Sequence, residues 1–160
     1  MAKNYLRLDR VGGQDHYESF VSDEITVNGQ LVNVGKADLD YGIDIVEITS
    51  AEEGKRPDAV VTNVYIDYGY LDYDESEQEL KPGKPGRALR LSEGQILSWN
   101  VENATGLAAG DLVTTGVGGR GLKKATALDE VIGVVTRLDY LAYVGDLVVV
   151  RIEKNGLKGE

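Results

Sequence analysis

The sequence predicts a mainly β protein: a small β-barrel preceded by an N-terminal β region and an extended arm. Short runs rich in β-branched residues, bounded by glycine or aspartate, recur at intervals of about 8 to 12 residues. No segment has a sustained apolar repeat of 3.6 residues, and no apolar run approaches the roughly 18 residues of a membrane span. With 160 residues, 42% of them hydrophobic, the chain is long enough for one domain with its own core.

An N-terminal arm is predicted over residues 1–20. Its segment AKNYLRLDR sets the apolar side chains of Tyr5, Leu6 and Leu8 among charged residues, and the pair Gly12-Gly13 behind it would uncouple the segment from the rest. We expect these three side chains to contact a neighbouring subunit. The alternative is that residues 5–8 form the first strand of the fold itself.

A β-hairpin and strand region is predicted over residues 21–70. Asn28 and Gly29 lie between two β-branched runs, as a two-residue hairpin turn requires, and such a turn would pair Ile25 with Val32. GIDIVEITS and DAVVTNVYIDYGY have the composition of two further strands. AEEGKRPD, which joins them, is predicted to be an exposed connection.

Residues 71–86 are predicted to form a surface loop, because an acidic run is followed by a repeated Lys-Pro-Gly and neither supplies a buried stripe. The barrel is predicted over residues 87–153, with Val134 and Val149 inward. Its last strand contains the continuous apolar run LVVV, which is typical of a strand covered on both faces. Residues 154–160 remain as a C-terminal tail.

The composition argues against most enzyme classes. Zero cysteines exclude thiolate nucleophiles and cysteine-ligated zinc, and one histidine leaves little for histidine-based catalysis. That residue, His16, follows Asp15, but neighbours along an extended segment point to opposite faces, so we expect His16 at the surface or at an interface. We predict no enzyme activity, no cofactor and no metal. Paired carboxylates of a hydrolase remain open, since they need only spatial proximity.

The net charge of −10 is unevenly distributed. Residues 1–80 carry 18 acidic and 6 basic side chains, and residues 81–160 carry 9 and 11, so the two halves have charges of −12 and +2. Nucleic-acid affinity comes from clustered lysine and arginine. The one basic cluster, KPGKPGRALR, has no aromatic residue for base stacking. We therefore expect neither a nucleic-acid partner nor a membrane partner.

Two motifs resemble ligand sites. GVGGRG at residues 116–121 has the glycine spacing of a dinucleotide loop, but no helix is predicted after it to aim amides at a phosphate, so a turn between strands is the favoured interpretation. DYDESE places Asp72, Asp74 and Ser76 at the alternate spacing of calcium ligands. A calcium loop would need glycine where Glu77 stands. A solvated acidic loop is the simpler interpretation of this stretch, with a weak divalent site as the alternative.

Trp99, in ILSWNV, has two interpretations. Tryptophan is enriched where proteins contact proteins, and it is also a common core residue of small barrels. We keep it as a contact candidate beside Tyr5, Leu6, Leu8 and His16, with burial in the core as the alternative.

The second half carries a series of strand motifs: Gly110-Asp111, Lys124–Thr126, Ile132–Val135 and Gly145-Asp146. Over residues 87–153 this series resembles the capsid decoration, or cement, proteins of tailed bacteriophages. The resemblance implies a small β-barrel on the outer surface of the phage head, where copies, often trimers, bind the major capsid protein and bridge its subunits. It also implies synthesis in the host cytoplasm. The alternative is another structural β module of the virion, such as a tail or fibre accessory.

Overall fold

The computed structural model describes residues 4–12, 15–37, 45–62, 79–100, 104–142 and 144–153. In order, its strands are β1 (Leu6–Arg10), β2 (Tyr17–Val21), β3 (Thr26–Val27), β4 (Leu31–Ala37), β5 (Ile45–Ser50), β6 (Ala59–Val61), β7 (Glu79–Leu80), β8 (Pro85–Arg90), β9 (Ile96–Asn100), β10 (Leu112–Thr115), β11 (Leu122–Lys124), β12 (Gly133–Leu141) and β13 (Gly145–Ile152). The mainly β prediction is confirmed. The predicted tail and residues 71–78 of the predicted surface loop lie outside the described residues, while residues 79–86 of that loop contain β7 and the start of β8.

Five strands form a closed barrel in the order β2-β5-β4-β6-β8, and β8 closes it by pairing with β2. The β2–β5 pair is parallel and the other pairs are antiparallel. A small barrel is thus confirmed, but its predicted position at residues 87–153 is wrong. Strand β8 crosses the predicted boundary at residue 87. The continuous apolar run LVVV pointed to burial on both faces, which a covered sheet strand satisfies as well as a barrel strand does.

Six of the remaining strands form a sheet in the order β1-β9-β13-β12-β10-β11. Strand β1 pairs antiparallel with β9, setting Leu6 opposite Trp99 and Leu8 opposite Leu97. Residues 6–10 therefore form a strand of the fold, in agreement with the alternative interpretation. The prediction of an arm separate from the fold is wrong for these residues. Val149 is buried as expected, whereas Val134 is half-buried.

The barrel and the sheet share one wall. In β6, Ala59 and Val61 belong to the cluster inside the barrel, while Val60 between them packs into the larger cluster formed with the sheet. Strand β4 does the same, with Val32 inward and Leu31 outward. Because successive side chains of a strand point to opposite faces, these strands are apolar at consecutive positions. The shared wall therefore lies between two apolar clusters and joins the barrel to the sheet through the larger one.

The turn at Asn28-Gly29 forms, but the predicted hairpin does not. Gln30 N donates to Val27 O across 3.2 Å, and Gly29 adopts a φ of +85°. Strand β3 nevertheless pairs with β7, and β4 pairs with β5 and β6. The predicted pairing of Ile25 with Val32 is wrong, because β4 lies in the shared wall, where both of its faces are covered.

The connection between β5 and β6, predicted to be exposed, docks against the sheet. Gly54 N donates to Thr115 O across 3.0 Å, and Gly54 O accepts from Glu130 N across 2.9 Å. The Arg56 guanidinium donates to Val131 O and Glu153 O across 2.9 and 2.8 Å. Burial lowers the pKa of Arg56, opposed by the charge of Glu130. These bonds hold the barrel and the sheet together beside the shared wall.

Candidate functional site

The three predicted contact residues of the N-terminal segment are used within the chain itself. Leu6 and Leu8 are half-buried and pack against the larger core cluster. Tyr5 precedes β1, and its backbone exchanges hydrogen bonds with Asn100: Tyr5 N donates to Asn100 Oδ1 across 3.2 Å, and Asn100 N donates to Tyr5 O across 3.3 Å. Their partial exposure leaves contact with a neighbouring subunit as a prediction for these side chains.

Trp99 is completely buried in the larger core cluster. Its indole Nε1 donates to Gly29 O across 2.9 Å, which ties the sheet to the turn after β3. The structure therefore matches the core alternative for Trp99, and a surface contact role for this side chain is wrong. A buried indole needs an acceptor for its N–H, and the turn carbonyl supplies it.

His16 lies at the surface, with 66% of its side chain exposed. Its Nε2 is 3.0 Å from Glu18 Oε1, and the same oxygen accepts from Arg90 Nε across 3.2 Å. Glu18 and Arg90 lie on the paired barrel strands β2 and β8. His16 therefore stands at an ion pair on the outside of the barrel, in agreement with the surface position expected from the sequence.

The glycine motif at residues 116–121 turns the chain between two antiparallel strands. Gly116 N donates to Gly121 O across 3.0 Å, and β10 then pairs with β11. A short 3-10 turn, Val117–Gly119, fills the loop. The loop is followed by the strand β11 and not by the helix that a dinucleotide loop requires, so the turn interpretation is confirmed. Gly119 is buried against the barrel, where a Cβ atom would lie 2.6 Å from Leu31 O.

Two exposed apolar side chains share one face near the end of β12. Leu138 is 55% exposed and Tyr140 is 64% exposed, although β12 pairs along its length with β13. Two residues apart on a strand, they point to the same side. We call them the hairpin pair. The sequence does not identify this pair, since RLDY alternates charged and apolar residues and does not indicate which set faces the core.

The opposite face of the hairpin formed by β12 and β13 carries charged side chains in ion pairs. Arg7 on β1 donates to Asp139 Oδ2 on β12 across 2.7 Å and also bonds Asp9. Arg137 lies 3.5 Å from the same Asp139 oxygen. The hydrogen bond from Arg7 is the main cause that lowers the pKa of Asp139, and the carboxylates raise the pKa of Arg7. These ion pairs link β1 to β12, and each charged side chain in them has a partner of opposite charge.

Buried apolar side chains lie beneath the ion pairs on this charged face. Val149 pairs with Ser98 and Arg137, so it shares the face of the ion pairs, and it is buried there. Leu147, opposite Asp139, is buried in the same way. Arginine covers apolar surface with its methylene stem while its charged end stays hydrated. The hairpin pair is thus the apolar surface that β12 leaves uncovered.

Other site types have little support in the described residues. In these ranges no three histidine, cysteine, aspartate or glutamate side chains cluster as metal ligands would. The calcium-like stretch at Asp72, Asp74 and Ser76 lies outside them. Within the same ranges, no helix is long and apolar enough to cross a membrane.

The fold is similar to a crystal structure of the head fiber gp8.5 N base in bacteriophage phi29. The TM-score is 0.57, and the match covers 91% of this chain and 99% of that chain at 19% sequence identity. The two chains share a fold. Family models and curated proteins gave no match to this sequence.

Proposed function

We propose that this protein is a non-enzymatic structural component of a tailed-phage virion that attaches to the outer surface of the head. The observation that carries the proposal is the similarity of nearly the whole chain to the base of a phage head fibre. The similarity extends over both the barrel and the sheet, so it is not confined to one common β motif. The motif series at residues 87–153 resembles another class of head-binding protein and independently favours the same part of the virion.

The hairpin pair is our candidate for the surface that contacts the major capsid protein. Contiguous exposed apolar surface is a common feature of protein–protein contact sites. Burying the exposed parts of Leu138 and Tyr140 would contribute at most about 1.5 to 3 kcal/mol each before ordering costs. Affinity of this size per copy is modest, but copies that associate with one another add their affinities through multivalency. Self-association, with a trimer expected, is part of the proposal.

Two modes of attachment are compatible with this role. A cement protein bridges neighbouring capsid subunits, so its binding should raise the temperature at which heads release DNA. The base of a projecting fibre holds one external structure on the shell and need not change that temperature. The resemblance to decoration proteins favours the first mode, and the head fiber base favours the second.

The test is reconstitution on heads from which the native copies have been stripped. Purified protein should rebind at defined lattice positions seen by cryo-electron microscopy, and DNA release on heating separates the two modes. The double variant Leu138→Ser, Tyr140→Ser should bind much more weakly with an unchanged Tm. Val117→Ser is the matched control, because Val117 is also an apolar side chain with 72% exposure but lies on another loop.

Three results would count against the proposal. Failure of the native sequence to bind stripped heads removes the attachment role. Full binding by the double variant removes the hairpin pair as the contact. Self-association is removed if the free protein is a monomer at all concentrations in light scattering and the cryo-electron map shows isolated single copies on the head.

A further inference from the structure

A cleft at one end of the barrel has the chemistry of a ligand site. It lies where β2 and β5 end and β4 begins, with a volume of about 300 Å³. Ser22, Thr26, Thr49 and Ser50 supply hydroxyl groups to its wall. The open ends of β-barrels are common sites for small ligands, and this volume is at the lower limit of such pockets. We call it the mouth cleft.

One hydroxyl at the mouth cleft is buried without a partner. Thr26 is 2% exposed, and its Oγ1 makes no hydrogen bond within the described residues. Buried hydroxyl groups are nearly always bonded, because leaving one unsatisfied costs its full desolvation free energy. A ligand that reaches Thr26 would recover that cost.

Two serine hydroxyl groups at the mouth cleft already accept hydrogen bonds from the protein. Gln30 Nε2 donates to Ser50 Oγ across 3.0 Å, and Glu24 N donates to Ser22 Oγ across 3.1 Å. Each serine oxygen therefore already accepts one bond from the protein and keeps its own hydrogen for another acceptor. A ligand here must offer oxygen atoms as acceptors.

The rim of the mouth cleft carries hydrogen-bond acceptors, which pair with donors on a ligand. Asp23 and Glu24 line it, and both are exposed carboxylates that only accept hydrogen bonds when ionised. They repel a phosphate or a carboxylate ligand. An ammonium group would satisfy them but would leave the serine hydrogens without an acceptor. Val32 and Ile48 add an apolar part to the lining, suited to the C–H face of a ring.

We propose that the mouth cleft binds an uncharged polyhydroxyl ligand, namely a sugar unit of a glycan. A sugar hydroxyl both donates and accepts, so one ligand satisfies the rim carboxylates, the serine hydrogens and Thr26 together. The inference is independent of the attachment surface, because the hairpin pair lies on β12 of the sheet.

The test is a titration monitored by NMR amide shifts with the methyl glycosides of glucose, galactose, mannose and N-acetylglucosamine. At least one of them should bind saturably with a dissociation constant of about 1 mM or tighter. Glucuronate should not bind, and glucosamine should bind no more tightly than its N-acetyl derivative. The shifts should map to the mouth cleft.

Thr26→Val tests the mechanism, because valine keeps the shape of threonine and removes the hydroxyl. We expect binding weakened about tenfold or more with a Tm equal to or above that of the parent, since the lost hydroxyl had no partner. Thr105→Val, at an exposed threonine elsewhere, is the matched control. Ser50→Ala gives the second variant if Thr26→Val does not fold.

The proposal is overturned if none of the four glycosides binds, or if glucosamine binds where they do not. Unchanged affinity in Thr26→Val, or in Ser50→Ala where that variant is used, also overturns it. So does a lower Tm of a folded Thr26→Val, because the hydroxyl would then be bonded within the protein already.

Discussion

The closed barrel and the six-stranded sheet bury their strands in different ways. The barrel side of the shared wall is covered on both faces, so Ala59, Val60 and Val61 are all fully buried. The sheet packs one face on that wall and covers the other with ion pairs around Arg7 and Asp139. Closure also removes the barrel's strand edges, whereas the sheet keeps β1 and β11 at its ends.

The barrel and the sheet also differ in how many large apolar side chains they expose. Among the exposed large hydrophobic side chains of the described residues, Ile25 alone belongs to the barrel region, and the others lie on the sheet or its loops. The shared wall stabilises both regions, and the sheet and its loops carry most of the exposed large apolar side chains of the described residues.

Val60→Asp should have the largest effect, because it places a charge in the shared wall. An ionised carboxylate buried without a partner costs several kcal/mol, enough to unfold a domain of ordinary stability. We expect the barrel and the sheet to unfold together, measured by circular dichroism and by fluorescence of Trp99. Val117→Asp, at an exposed valine, should leave the Tm unchanged. Retention of a native sheet in Val60→Asp would show that the two regions fold separately.

Deletion of residues 2–11 should have the next largest effect, because it removes β1 from the edge of the sheet. Leu6 and Leu8 leave the core with it, at up to about 1.5 to 3 kcal/mol each. We expect the Tm to fall by up to roughly 6 to 24 °C, given about 2 to 4 °C per kcal/mol for a domain of this size. An unchanged Tm would mean that the segment is an arm after all.

Much of the fold follows from local patterns. The β-branched runs and the missing helical repeat predict a mainly β chain, the apolar run from Leu147 to Val150 predicts burial on both faces, and the glycines of residues 116–121 predict a turn. Each of these depends on residues adjacent in sequence. The location of the barrel does not, because it depends on which distant strands pair.

The errors in the prediction are errors of long-range pairing. Strand β2 pairs in parallel with β5, and β8 joins the barrel from beyond the predicted boundary. The turn at Gly29 predicted a hairpin, but β4 lies in the shared wall, because both of its faces are apolar and become buried there. The candidate surface was missed for the same reason: Leu138 is exposed because β12 extends beyond the core, and strand length relative to the core is not a local property.

The glycine loop offers a matched pair of substitutions for the contact between sheet and barrel. Gly118 and Gly119 both have positive φ, 66° and 75°, so alanine costs about 1 to 2 kcal/mol in backbone strain at either position. At Gly118 the added Cβ meets nothing within 4 Å, but at Gly119 it lies 2.6 Å from Leu31 O and 3.1 Å from Ala51 N.

Gly119→Ala should therefore lower the Tm clearly more than Gly118→Ala does. The difference measures the close approach of the loop to the barrel, where Ala51 N donates to Leu31 O. Equal effects in thermal denaturation would mean that the loop does not rest against β4. Neither variant should change nucleotide binding, which calorimetry with NAD and ATP should not detect in the parent.

Asp139→Asn should have the smallest effect, and the effect should depend on pH. The hydrogen bond from Arg7 lowers the pKa of Asp139 in the folded protein. A carboxyl group with a lowered folded-state pKa stabilises the fold above its ordinary pKa of about 4 and loses that contribution as the pH falls further. The Tm of Asp139→Asn should thus lie below that of the parent at neutral pH, and the two should converge on acidification. Added salt should narrow the neutral-pH gap, since the pair is partly exposed to solvent. Asp146→Asn, on the same hairpin, has no ion pair within the described residues and should follow the parent throughout; a constant gap between Asp139→Asn and the parent at every pH would assign the effect to packing rather than to charge.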